Sequence, residues 1–208
     1  MLDTIDAMLT QAFELFDKGK LFEAEELYNK CLQNLEKTSD EYKTALHGLG
    51  YVKTYQKEYN KARKIYIELR QIEQDEHIAI HQLGMVERMA GNYNKALELF
   101  EEELKVLKDS KPDFLVGFAA NYYEQGFILL KRNSLIKAEE YMIRSLHYSK
   151  QSGDPICLGC SLRGLGEIFI AKREYEKAKI YYLKSIEAFK EGNDEVAVNE
   201  VNSLINKI

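Results

Sequence analysis

The chain has 208 residues, 45% hydrophobic and 30% charged, with a formal net charge of −5 and two prolines. That balance argues against a general affinity for nucleic-acid phosphates and favours long helices over sheet. No window nears roughly eighteen uncharged apolar residues, the N-terminus lacks a leader pattern, and three cysteines make no disulfide framework, so a cytoplasmic protein without a membrane span is expected.

Taken in chain order, the apolar periodicity predicts helices near 2–17, 21–37, 40–56, 59–73, 76–90 and 93–109. It continues with 113–132, 135–151, 155–172 and 175–190. A last helix at 194–206 is capped by Asn193 or Asp194.

The helices fall into pairs that repeat. The stretch from Gly84 through the turn Gly91-Asn92 to Tyr93, Ala96 and Phe100 is one copy. Aligned on the alanine after each turn, the copies centre on Ala24, Ala62, Ala96, Ala138 and Ala178. Four residues later stand Tyr28, Tyr66, Phe100, Met142 and Tyr182; twelve residues earlier stand Ala12, Gly50, Gly84, Gly126 and Gly166. A small residue on the first helix admits the second, and the large residue fills the space beside the alanine. Neither helix buries its apolar stripe alone, so hairpins must stack.

These residues resemble the tetratricopeptide repeat family across essentially the whole chain. The resemblance implies an all-α, right-handed superhelix of five hairpins plus a C-terminal capping helix. The expected organisation is a single domain, 1–208, with repeats at 5–37, 43–74, 77–110, 119–152 and 159–192 and a cap at 194–206 whose apolar side covers the last hairpin. Alanine spacings of 38, 34, 42 and 40 mostly exceed the family minimum of ~34. Such long repeats resemble the domains of bacterial regulators that sense short peptides.

In that family the first helix of each pair lines the concave surface. Here that places His47, Tyr51, Thr54, Tyr55, His81, Met85, Arg88 and Met89 on the inner wall, joined by Tyr123, Phe127, Leu130, Lys131, Arg163 and Glu167. Leu9, Phe13, Phe16 and Ile170 complete it. An apolar, aromatic wall with scattered basic groups suits a peptide or protein segment with apolar anchors and some negative charge. The competing expectation is that several of these side chains pack between helices. The carboxylate clamp of the family's chaperone-binding members is excluded, because Leu9 and Phe13 stand at its places. Asn121, the first-helix asparagine, precedes the inner stripe. The function expected is non-catalytic recognition on the concave face. The alternatives are a peptide-sensing module lacking its effector domain, and a homodimer whose groove holds the partner chain.

Lys53 and Glu87 stand nine residues before their alanines, where other copies carry Leu15, Leu129 and Phe169. A Lys53–Glu87 bridge between adjacent repeats is the expectation; the alternative is that both reach solvent. The Cys157-Leu158-Gly159-Cys160 pair lacks the strand a redox motif needs and the second pair a zinc site needs, so packing is expected. His77 and His81 lie four apart on one helix and could bridge a divalent ion, with Glu76 and His47 as candidates for a further ligand, but groove or surface histidines are the expectation. With no phosphate loop and no nucleophile–histidine–acid set, no enzyme activity, cofactor or metal is expected.

Overall fold

The computed structural model describes residues 4–72 and 76–208. Among them lie eleven helices: α1(Ile5–Asp17), α2(Leu21–Leu32), α3(Asp40–Tyr55), α4(Tyr59–Ile72), α5(Glu76–Met89), α6(Tyr93–Ser110), α7(Leu115–Lys131), α8(Leu135–Ser152), α9(Pro155–Ala171), α10(Tyr175–Glu191) and α11(Glu195–Ile205). Most expected boundaries hold within two residues. The exception is α2, which stops at Leu32 rather than 37. There the Asn34 side chain donates to the Lys30 carbonyl at 3.0 Å, closing the helix end, and Ser39 then caps α3 by accepting from the Tyr42 N–H at 3.1 Å. The expected starts at 2 and ends at 73 and 74 lie outside the described residues.

The chain forms two compact units, Met1–Leu99 and Phe100–Ile208. In the first, α1 packs on α2, α2 on α3, α3 on α4 and α4 on α5, and α1 also meets α3. In the second the same holds for α7 to α11, with α7 meeting α9. First helices therefore form an inner layer within each unit and second helices an outer one.

The small-residue positions do the work their spacing implied. A Cβ on Gly50 would come 2.5 Å from the Tyr66 ring, and one on Gly166 would overlap the Tyr182 ring. Tyr66 and Tyr182 are buried beside Ala62 and Ala178, so helix approach and aromatic filling are one interaction.

The turns share one conformation. Gly19, Lys57, Gly91, Asn133 and Arg173 all have positive φ, 57° to 82° with the equivalent Asn193 included. Behind each, an N–H reaches back to a carbonyl five residues earlier: Lys20 to Leu15, Glu58 to Lys53, Asn92 to Glu87, Ser134 to Leu129, Glu174 to Phe169. This is the Schellman closure of a helix C-terminus, whose apolar contact normally joins those same two residues.

In two turns that contact is polar, which explains the charges at Lys53 and Glu87. Lys53 is 5% exposed; its ammonium bonds Gln56 at 3.0 Å, Glu58 at 3.2 Å and, from the preceding hairpin, Glu25. Glu87 is 1% exposed and receives both Nε and Nη2 of Arg63 at 2.8 Å, Asn92 at 2.7 Å and Lys95 at 2.9 Å. The expected Lys53–Glu87 bridge is therefore wrong: both charges are buried, but each pairs with the residue that follows the alanine of the preceding hairpin, Glu25 after Ala24 and Arg63 after Ala62. A second helix lies between the two first-helix positions and offers the nearer partner. The Arg63 fork, helped by Asn92 and Lys95, outweighs burial and holds the Glu87 carboxyl at about 2. In the second unit Glu139, after Ala138, pairs likewise with Lys172.

Candidate functional site: the inner faces of the two units

In the first unit α1 and α3 present a joined set of rings. Phe16 meets Tyr55 edge-on at 5.2 Å and lies 6.1 Å from Tyr51, and Phe13 lies 6.4 Å from Phe16. Phe13 and Tyr55 are each 54% exposed, so large aromatic surface stays open to solvent. Tyr51 is half-buried and accepts from Gln82 of α5 at 2.8 Å, which fixes the edge of this surface.

The remaining expected residues of this unit divide. His81, Met85, Arg88 and Met89 are half-buried along α5, with Arg88 Nη2 lying 3.7 Å from the Met85 sulfur. His47 is half-buried against Tyr66, their rings 6.1 Å apart. Thr54 has nothing to offer a ligand: it is buried, and its hydroxyl donates to the Gly50 carbonyl at 2.7 Å. Small, with a hydroxyl that finds its own helix, it turns inward where a larger residue could not.

In the second unit the inner face centres on Arg163 of α9. Its Nη2 donates to the Tyr123 hydroxyl of α7 at 3.2 Å, and its Nη1 to Glu200 of α11 at 3.1 Å. Glu167, one turn on, lies 3.9 Å from Nε. Tyr123 stacks on Phe127 at 6.4 Å, and the Lys131 ammonium sits 4.8 Å over the Phe127 ring. Leu130 is half-buried and Lys131 exposed. Burial pushes the Tyr123 hydroxyl up to about 12, despite the opposing pull of Arg163, and burial also raises Glu167 against Arg163 and Lys131.

Two participants escaped the sequence reading, Gln82 and Glu200. Neither carries a local signal, since each is a polar residue on an amphipathic helix. Asn121 is fully buried: its amide donates to the Phe100 carbonyl and to Glu103, both at 2.7 Å, and its oxygen accepts from Gln125 at 2.6 Å. Its amide is spent inside the unit. Burial raises both thiols of the C-x-x-C pair, Cys157 to about 12, although the Cys157 N–H opens α9 on the Asp154 cap. No group of three or more potential ligands stands ready for a metal among the described residues, and no helix there is long and apolar enough to cross a membrane.

Stacked helical hairpins with small-residue contacts, left-handed turns and first helices inside define the tetratricopeptide-repeat solenoid. The tetratricopeptide repeat family profile matches residues 44–109, and the chain as a whole has the fold of the solved structures similar to it. The apo form of RapI matches with a TM-score of 0.71 at 18% identity, over 96% of this chain and 75% of that one. BtubC (BKLC) from P. vanneervenii matches with a TM-score of 0.69 at 18% identity, over 91% and 81%. YrrB, described as a tetratricopeptide-repeat protein with an unusual peptide-binding site, matches with a TM-score of 0.50 at 17% identity, over 97% and 93%. At such identities the likeness is one of fold. No curated protein sequence matches the chain.

Proposed function

We propose that the protein is a non-catalytic scaffold that binds a peptide or protein segment on the inner faces of its units. The observation that carries this reading is the open aromatic surface of Phe13, Phe16, Tyr51 and Tyr55. Aromatic rings left half in solvent, and steadied by neighbours rather than free to collapse, are the usual anchors of recognition surfaces. A segment with apolar or aromatic anchors fits them. YrrB's described peptide-binding site is a precedent for this use of the fold.

The test is selection of random dodecapeptides displayed on phage, against the wild type and a Phe13→Ala/Tyr55→Ala variant. Both side chains are exposed, so the variant should fold. Recovered peptides should share apolar anchors, and a class of them should lose at least tenfold in affinity for the variant, about 1.4 kcal/mol. A selection in which every recovered peptide bound both proteins equally well would refute the aromatic surface as a site. Light scattering separates the homodimer alternative: a dimer that Phe127→Glu or the double variant converts to monomer would replace peptide binding with self-association.

A further inference from the structure

Arg163 has the construction of an anchor that is already occupied. Its side chain is 21% exposed and held from two directions, by the Tyr123 hydroxyl of α7 and the Glu200 carboxylate of α11. Its Nε is buried without a hydrogen-bond partner, the nearest carboxylate, Glu167, standing off at 3.9 Å. A purely structural guanidinium this deep would normally have its donors met.

Glu200 is the weak member of this set. It is 60% exposed and gives one oxygen to one nitrogen rather than closing the two-bond fork an arginine can make. Exposed single-bond pairs of this kind contribute little and exchange readily with solvent. Nor does α11 need it for attachment. Ala197 and Val201 are buried against the second unit, with Val198, Leu204 and Ile205 packed beside them.

We propose that Glu200 is a displaceable internal occupant of a carboxylate anchor at Arg163, which an acidic side chain of a bound peptide takes over. This rests on the peptide-binding reading above and adds to it a ligand chemistry and a restraint. The capping helix then does more than cover the last hairpin. It holds the anchor closed to weak anions, so that only a peptide with further contacts on the same inner face expels the internal carboxylate. Tyr123 and Phe127 supply the apolar floor for those contacts.

The same phage selection, run on wild type, Glu200→Gln and Arg163→Gln, tests it. One class of the peptides recovered with wild type should carry Asp or Glu at one position. Their affinity should rise about two- to fivefold with Glu200→Gln, as removal of a weak competitor implies. It should fall at least tenfold with Arg163→Gln, and by a similar factor when the peptide's acid is replaced by its amide. That last arm holds even where Arg163→Gln disturbs folding. An unchanged affinity with Glu200→Gln, or peptides whose amide form binds as well, would overturn the anchor. If peptides then still need Phe13 and Tyr55, the scaffold reading stands without it. Failure to recover any peptide from all three proteins would overturn both.

Discussion

Replacing Glu87 by Gln removes the charge from a carboxylate that is 1% exposed and receives four donor nitrogens, from Arg63, Asn92 and Lys95. In the unfolded chain this group titrates near its ordinary 4.5; in the folded protein it is held at about 2. At about 1.36 kcal/mol per unit, the charged form stabilises the fold by about 3 kcal/mol. The sign follows from the lowered folded-state value. The contribution is complete above 4.5 and is lost as pH falls toward 2. Urea unfolding followed by far-ultraviolet circular dichroism, the natural probe in a chain without tryptophan, should therefore place Glu87→Gln about 3 kcal/mol below wild type at pH 7. The gap should narrow to about 1.4 kcal/mol at pH 3, one unit above the folded-state value. A gap under about 1 kcal/mol at pH 7, or one that persists on acidification, would show that the partners do not hold the charge as described.

Other consequences are equally direct. A double-mutant cycle on Glu25→Gln and Lys53→Met should give a coupling of about 1–3 kcal/mol, whereas Lys53→Met and Glu87→Gln, which share no partner, should add within about 0.5 kcal/mol. Lys57 and Arg173 sit at φ of 63°, a strained region for a side chain. Lys57→Gly or Arg173→Gly should raise stability by about 0.5–1 kcal/mol, read as a higher urea midpoint; a fall would mean that the turns do not hold this conformation against strain. With burial raising Cys157 to about 12, alkylation at pH 8 should run at least about a hundredfold slower than for a free thiol. Fast labelling of the native protein would reopen the redox reading.

The hairpins were legible because their signal is periodic and local. Apolar spacing of three and four residues marks the helices, and a small residue twelve before each alanine marks where helices touch. Even so, the left-handed turn residue announced itself only where glycine or asparagine stood, at Gly19, Gly91, Asn133 and Asn193. At Lys57 and Arg173 the residue type conceals the conformation, which is imposed by the Schellman bonds on either side.

The partner of a buried charge was not legible. Sequence comparison aligned Lys53 with Glu87 because they hold the same place in successive copies, and opposite signs at equivalent places invite pairing. Equivalent places, however, are separated by the second helix of the earlier hairpin, and its residue after the alanine reaches each charge first. Thr54 shows the same limit. Its helical phase put it on the inner wall, while its size and hydroxyl let it turn onto the Gly50 carbonyl.

What this sequence determined alone is whatever repeats: the hairpin, the close contact at its small residues and the apolar side of the last helix. What the tertiary structure decided is which unlike elements meet. Glu200 on Arg163, Gln82 on Tyr51 and Arg63 on Glu87 each join residues 24 to 37 apart in the chain. Helical phase gives each side chain a direction, but not the neighbour that stacking brings into reach. Such pairings carry no period, and so leave no trace in the pattern from which the fold is read.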